Sequence, residues 1–370
     1  MALVAITTIQ LVVDPRGNIG TGADAFGPWR AHFGRVAKAR QLGQHTYDLV
    51  ILGTSRSLNG IDPSLDTWGS RKVYNASLVG TNLWETRLVF DHVLERNSPR
   101  ELLIELSLIS FGSKRMTSRD FPESAFNPDR ERLESRLSDT LGYGSLHLAL
   151  LVGSRWLTGQ AREFVPREDG MRMRVGDPKS TRDLFATVLT SFAKDPNTYA
   201  GFSFGADRLG MLEEMLELAS SAGIKVTLFT PPVHALQLQA IRSLGLQEDY
   251  DHMRREVANL ASQPRPISVD YWDFTGWTGP RAEDIPSADD APMEWYFDSS
   301  HFRPALGRQV VEEMFGDGPK SPDTLRLGLR LTPENLAEHF LGQENARLNW
   351  QREHRAEIQW LAAQFEVPGD

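Results

Sequence analysis

Cysteine is absent from all 370 residues, so disulfide bracing, thiolate catalysis and cysteine-ligated zinc are excluded. That absence does not choose a compartment, because cysteine-free chains occur in oxidising and reducing surroundings alike. Nine histidines are present, yet no HExxH or other paired spacing sets two of them on one helix face, so no metal is expected. No GxGxxG follows the first strand pattern and no GxxxxGK[ST] occurs; a nucleotide-binding protein ranks low and no cofactor is expected. Positive charge is also in short supply. With a net charge of -9, the chain lacks the basic excess of a phosphate-tracking surface, and nucleic acid is not an expected partner. The apolar stretch ALVAITTIQLVV near the N-terminus is about a dozen residues, against about 20 for a membrane span. It also lacks the basic flank and small-residue cleavage site of a signal peptide. It reads either as a buried first strand or helix, or as the tail of a membrane anchor.

What is present is the composition of a globular protein, 40% hydrophobic and 24% charged, in a length that suits one large domain or two modest ones. Short apolar runs alternate with helical periodicity. Strands are predicted at 48–53, 72–76, 101–111, 224–232 and 267–274. Helices are predicted over 82–97, about 207–221, a stretch reaching about 261, and after Pro304. This alternation predicts an α/β fold of flavodoxin-like, three-layer α/β/α type, with a five-stranded parallel sheet in the order 2-1-3-4-5. Residues 1–22 would be the anchor remnant and linker, and 23–317 the α/β domain, interrupted at about 113–200 by a largely helical insertion. Residues 318–370 would form a helical appendage, with Thr332 as N-cap and Pro333 at the first helical position.

In an open parallel sheet, ligands gather beyond the carboxyl ends of the strands. Ser55 and Arg56 follow the first strand; Asn75, Ser77, Gly80 and Asn82 follow the second. Ser107 and Ser110 follow the third, His234 the fourth and Asp273 the fifth, while Asp298 and His301 stand just before the last sheet helix. The three-residue spacing of Asp298 and His301 lets the carboxylate hold one ring nitrogen and leave the other free, as a base in nucleophilic catalysis requires. Each residue also has a plainer reading. Ser55 could cap a helix, and Arg56 could pair with a carboxylate instead of clamping an anionic substrate group. His234 could line the pocket or serve as an alternative base, and Asp273 could support the site or cap its own turn. Trp272, Trp277 and Trp295 could face sugar rings or fill the core.

The blocks ILGTSRS, NASLVGTN and DSSHF resemble the SGNH/GDSL hydrolase superfamily. Together with VDPRGN, LGTSRSLNGIDP, PPVHA, YWDFTGW and DSSHFRPALG, they resemble uncharacterised SGNH-type proteins of bacterial exopolysaccharide biosynthesis, over most of residues 10–320. The resemblance implies Ser55 as nucleophile, His301 as general base and Asp298 as its orienting partner, with the Ser55 and Gly80 N–H groups in the oxyanion hole. The family's third donor, an asparagine after strand three, has no counterpart in LSLISFGS, and Asn82 is the substitute candidate. Arg56, His234 and Trp295 are the candidate substrate contacts. The implied activity is a carboxylic-ester hydrolase or O-acetyltransferase acting on acylated carbohydrate. The alternative is a non-catalytic polysaccharide-binding or exopolysaccharide assembly factor on the same fold. An N-terminal anchor, contact with exopolysaccharide machinery and exposure to the periplasm are implied as well, with the cytoplasm as the alternative location.

Overall fold

Four consecutive apolar side chains, Leu49–Leu52, offer no polar face, so this strand needs cover on both sides. It finds that cover as an interior strand of a mainly parallel sheet flanked by helices. The computed structural model of the protein describes all residues except 1, 17–21, 30–33, 115–116, 119, 131–140, 161–162, 178–179, 287–291, 317–325 and 366–370. The parallel strands are β1 (Leu49–Leu52), β2 (Val73–Asn75), β3 (Glu101–Glu105), β6 (Lys225–Thr230) and β7 (Val269–Asp273). A two-stranded hairpin, β4 (Phe164–Pro166) and β5 (Arg172–Arg174), lies between β3 and β6 in the chain, and β8 (Leu329–Arg330) closes the series. The sheet order is β2-β1-β3-β6-β7-β8, so the five parallel strands take the predicted order.

The sixth strand was not anticipated. β8 pairs antiparallel with the edge of β7, Asp273 opposite Leu329, and comes from the region read as wholly helical. Two residues are too few for any periodic signal. The third strand is also shorter than predicted: it ends at Glu105, and a 3-10 turn covers Leu108–Phe111. Ser107 and Ser110 close that turn as a capping box, which ends the strand despite the apolar run.

The helices are α1 (Ala2–Val13), α2 (Arg35–Gln44), α3 (Ser55–Gly60), α4 (Leu83–Arg96), α5 (Tyr143–Thr158) and α6 (Thr181–Lys194). They continue with α7 (Ala206–Ser221), α8 (Ala235–Ser243), α9 (Gln247–Ser262), α10 (Pro304–Phe315), α11 (Leu336–Glu353) and α12 (Arg355–Phe365). The N-terminal apolar stretch is therefore a helix, and it packs against α5 of the insertion. No described helix is long and apolar enough to cross a membrane. Thr332 does not cap α11; residues 333–335 form a turn in which the Thr332 N–H donates to Asn335 Oδ1, and the helix starts at Leu336.

One close crossing sets the geometry of the sheet's open end. A Cβ at Gly307 of α10 would lie 1.8 Å from the Gly60 carbonyl oxygen at the end of α3, and one at Gly60 would lie 2.1 Å from the Phe302 ring. Only two glycines let these helices meet backbone to backbone. Because α3 begins with Ser55 and α10 starts three residues after His301, the crossing draws two segments 246 residues apart onto one rim. Gly307→Ala is expected to lower stability by about 2 kcal/mol or more, through overpacking against an immovable carbonyl. Urea unfolding checks this, and an unchanged midpoint would contradict the tight crossing.

Candidate active site

At the end of β1 the chain turns sharply through Gly53 and Thr54 into α3. Thr54 is the N-cap, its Oγ1 accepting from the Arg56 N–H. The turn is pinned from the neighbouring strand. Glu105, the last residue of β3, accepts the Thr54 N–H at 3.0 Å and the Thr54 hydroxyl at 2.6 Å. It also accepts the Ser57 N–H at 3.0 Å and the Ser57 hydroxyl at 2.6 Å. A Cβ at Gly53 would come within 2.7 Å of Glu105, so only glycine admits this carboxylate against the turn. Asn75, ending β2, donates to the carbonyls of Ser57 and Ile61 and ties down the far end of the short helix.

Ser55 stands on this braced turn, half-buried, with its Oγ 2.8 Å from His301 Nε2. The other ring nitrogen, Nδ1, lies 2.9 and 3.0 Å from the two oxygens of Asp298. A carboxylate accepts only, so Nδ1 carries the proton and Nε2 is left to accept from the serine hydroxyl. Asp298 is buried, and burial alone would push its carboxyl up. The electrostatic attraction of the His301 imidazole, its ring hydrogen bond and the N–H groups of Ser300 and His301 outweigh that and hold it below the ordinary range. An ionised aspartate in that place orients the imidazole and stabilises its protonated form.

The Ser55 N–H sits at the first position of a helix, where no intrahelical acceptor exists, so it is available to an oxyanion. Gly80 lies on an exposed turn with φ +64°. That loop is fastened to the same corner, since the Leu78 N–H and the Thr81 hydroxyl both donate to the Gly53 carbonyl. Asn82 has other work. Its Oδ1 accepts from the Glu85 N–H as the N-cap of α4, and its amide nitrogen donates to the Lys114 carbonyl. These are the contacts of a buried helix cap.

The three candidate substrate contacts separate. Arg56 points inward: it is 3% exposed, and its Nε donates to the Ser300 hydroxyl at 3.0 Å. His234 is the buried N-cap of α8; Nδ1 accepts the Leu236 N–H and Nε2 donates to the Glu283 carbonyl at 2.6 Å. Both ring nitrogens are spent there. Trp295 is half-buried on the loop before Asp298, its carbonyl accepting from the Arg303 N–H and its own N–H donating to Glu283. Trp277 is buried against Trp350 of α11, and Trp272 stacks on Phe274, so these two serve packing. Asp273 caps its own turn through the Thr275 N–H and holds Arg254 and His339, fastening α11 to the sheet.

Burial pushes the His234 imidazole down to about 4. The unfolded chain takes up a proton at this residue near 6.5, the folded chain only near 4, so stability falls as the pH drops through that window. The expected loss is about 3 kcal/mol by pH 4. Urea midpoints between pH 7 and 4.5 should show it, and His234→Asn, which retains a cap acceptor, should flatten the slope.

Two residues outside the predicted set matter here. Glu105 was hidden inside ELLIELSLISF, although an acid in the interior of an apolar run is itself a sign that something must satisfy a buried polar group. Lys38, on α2, is fully buried, and its Nζ donates to the carbonyls of Asn75, Ser77 and Gly170. Burial holds its amine well below the ordinary lysine range. It thereby clips the loop leaving β2 to the β4–β5 turn. Among the described residues no group of three or more His, Asp or Glu could hold a metal ion.

No known family profile matches the chain, and no curated protein does either. Among solved structures, one from Bacteroides fragilis that carries a provisional assignment as an acylhydrolase is similar over 75% of this chain and 90% of its own. The identity is 12% and the TM-score 0.35, a likeness too slight to argue from.

Proposed function

We propose that this protein is an SGNH-type serine esterase or O-acyltransferase that works on acyl esters of a polysaccharide through an acyl-serine intermediate. The observation that carries this reading is the hydrogen-bonded line from Ser55 Oγ through His301 to buried Asp298. Ser55 Oγ attacks the ester carbonyl carbon while its proton passes to His301 Nε2. The N–H groups of Ser55 and Gly80 receive the developing oxyanion. Collapse expels the alcohol, which takes the proton from His301 and leaves the acyl group on Ser55. A water or a sugar hydroxyl then attacks, giving up its proton to the same nitrogen, and collapse expels Ser55 Oγ, which takes that proton back from His301. Water makes the protein an esterase and a hydroxyl makes it a transferase. The carbohydrate, its exopolysaccharide setting and exposure to the periplasm rest on the motif resemblance and belong to the proposal.

One observation favours a second reading, a polysaccharide-binding assembly factor without catalysis. The Asn82 side chain is buried as the cap of α4, with its Oδ1 on the Glu85 N–H and one of its two amide N–H groups given to the Lys114 carbonyl, so it is held in the helix cap and not presented openly as a third oxyanion donor. Losing one such donor typically costs about 100- to 1000-fold in rate. A fluorophosphonate probe separates the two readings. Stoichiometric labelling mapped to Ser55 is expected; no labelling, with retained binding to an acetylated glycan, would favour the binding factor.

A further inference from the structure

Among the described residues, the buried arginines other than Arg56 are met by a carboxylate or, for Arg281, by several carbonyls. Arg35 pairs with Glu85, and Arg254 with Asp273 and Asp251. Arg281 donates to the carbonyls of Thr275, Thr278 and Leu327. Arg56 differs. Its Nε reaches Ser300, and its guanidinium lies over the Phe192 ring, 5.7 Å from the centroid, beside the Tyr199 hydroxyl. No carboxylate among the described residues pairs with it. The buried acids at this end of the sheet are engaged: Asp298 by His301, Asp273 by Arg254 and His339, and Glu105 by the turn of Thr54 and Ser57. A cation removed from water is unfavourable unless something negative joins it.

The side chain lines a cavity that the site described above does not use. Arg56 shares its walls with Ser107, Tyr199, Thr230 and Tyr250, and neither Ser55 nor His301 lines it. The space accommodates about one water-sized group. Its polar lining joins the guanidinium to two tyrosine hydroxyls that have a proton to give. The Tyr199 oxygen already accepts from Gln237 Nε2 at 3.0 Å, which leaves its proton to give. The Tyr250 hydroxyl has no hydrogen-bond partner among the described residues, and burial pushes its phenol far up, so it stays a donor at any physiological pH. Thr230 Oγ1 is occupied by the Tyr271 hydroxyl at 2.8 Å. A cation with no carboxylate partner and two hydroxyls with protons to give suit an anion.

We propose that this cavity is a binding site for one small monovalent anion of halide size, held by the Arg56 guanidinium and the hydroxyls of Tyr199 and Tyr250. The ion completes the charge balance behind the nucleophile turn. It is linked to the triad through Ser300, whose hydroxyl accepts from Arg56 and whose N–H donates to Asp298. Ester chemistry is not needed for the test. At constant ionic strength, replacing sodium gluconate by sodium chloride or bromide is expected to raise the melting temperature by a few degrees, saturating with halide. Crystals grown in bromide should show an anomalous peak between Arg56 and the two tyrosine hydroxyls. Arg56→Gln should lose the halide response. Tyr250→Phe, which removes one donor and keeps the ring, should weaken it several-fold even if the arginine variant fails to fold. Melting temperatures indifferent to the anion, bromide found only at other sites, or an undiminished response in Tyr250→Phe would overturn the assignment.

Discussion

Ser55→Ala is expected to abolish fluorophosphonate labelling and to lower turnover of a chromogenic acetyl ester by at least about 10,000-fold. The size follows from the division of labour at the rim. In the proposed mechanism the hydroxyl is the atom that bonds to the acyl carbon, and without it His301 has no proton to take. What survives is whatever the oxyanion donors achieve with water, about a thousandfold or somewhat more above the uncatalysed rate. Stability should stay within about 0.5 kcal/mol of the parent, because Ser55 is half-buried and its one side-chain hydrogen bond goes to His301. Kinetics paired with urea unfolding reads both quantities. Undiminished turnover in a well-folded variant would remove Ser55 from the mechanism.

Glu105→Ala should be the most destabilising single change at the site, by about 3–5 kcal/mol, and Glu105→Gln should cost much less. The carboxylate is 2% exposed and accepts four hydrogen bonds, from two N–H groups and two hydroxyls of the turn that carries Ser55. Alanine leaves those donors buried and unpaired beside an empty volume, and each lost partner counts for about 1–3 kcal/mol before relaxation. Glutamine has the same shape. Its oxygen can take the place of Oε2, which accepts three of the four bonds, while the Thr54 hydroxyl rotates to accept from the amide. The glutamine variant is therefore the readout that separates positioning from bulk stability. It should fold, with kcat reduced and KM little changed, because Ser55 loses its fixed aim while substrate contacts remain. Equal damage from both substitutions would argue against a bracing role for the carboxylate.

Much of this could be read from the chain alone. Runs such as LVIL and VTLF are apolar at every position, which is the demand of a strand covered on both faces. The helices between them show their period, and short connections restrict parallel strands to right-handed crossovers, so the order 2-1-3-4-5 followed. Small polar turns at strand ends marked the rim, and the spacing of Asp298 and His301 marked a pair able to share a proton. These are local properties: a few neighbouring residues contain all the information, and their hydrogen bonds or periods span only a turn or two.

Other features depended on residues far apart in sequence. Whether Ser55 meets His301 rests on Gly60 lying against Gly307, and one-dimensional spacing does not encode that contact. The bracing of the turn by Glu105, the burial of Lys38 among three carbonyls and the two-residue strand β8 likewise arise from long-range contacts. His234 and Asn82 carry functional groups, yet the fold spends both on capping helices, because an unpaired N–H at a buried helix start costs more than an idle side chain. Local chemistry, then, decides which residues are equipped to react. Packing decides which of them have a hand free, since burial obliges every polar group to find a partner first.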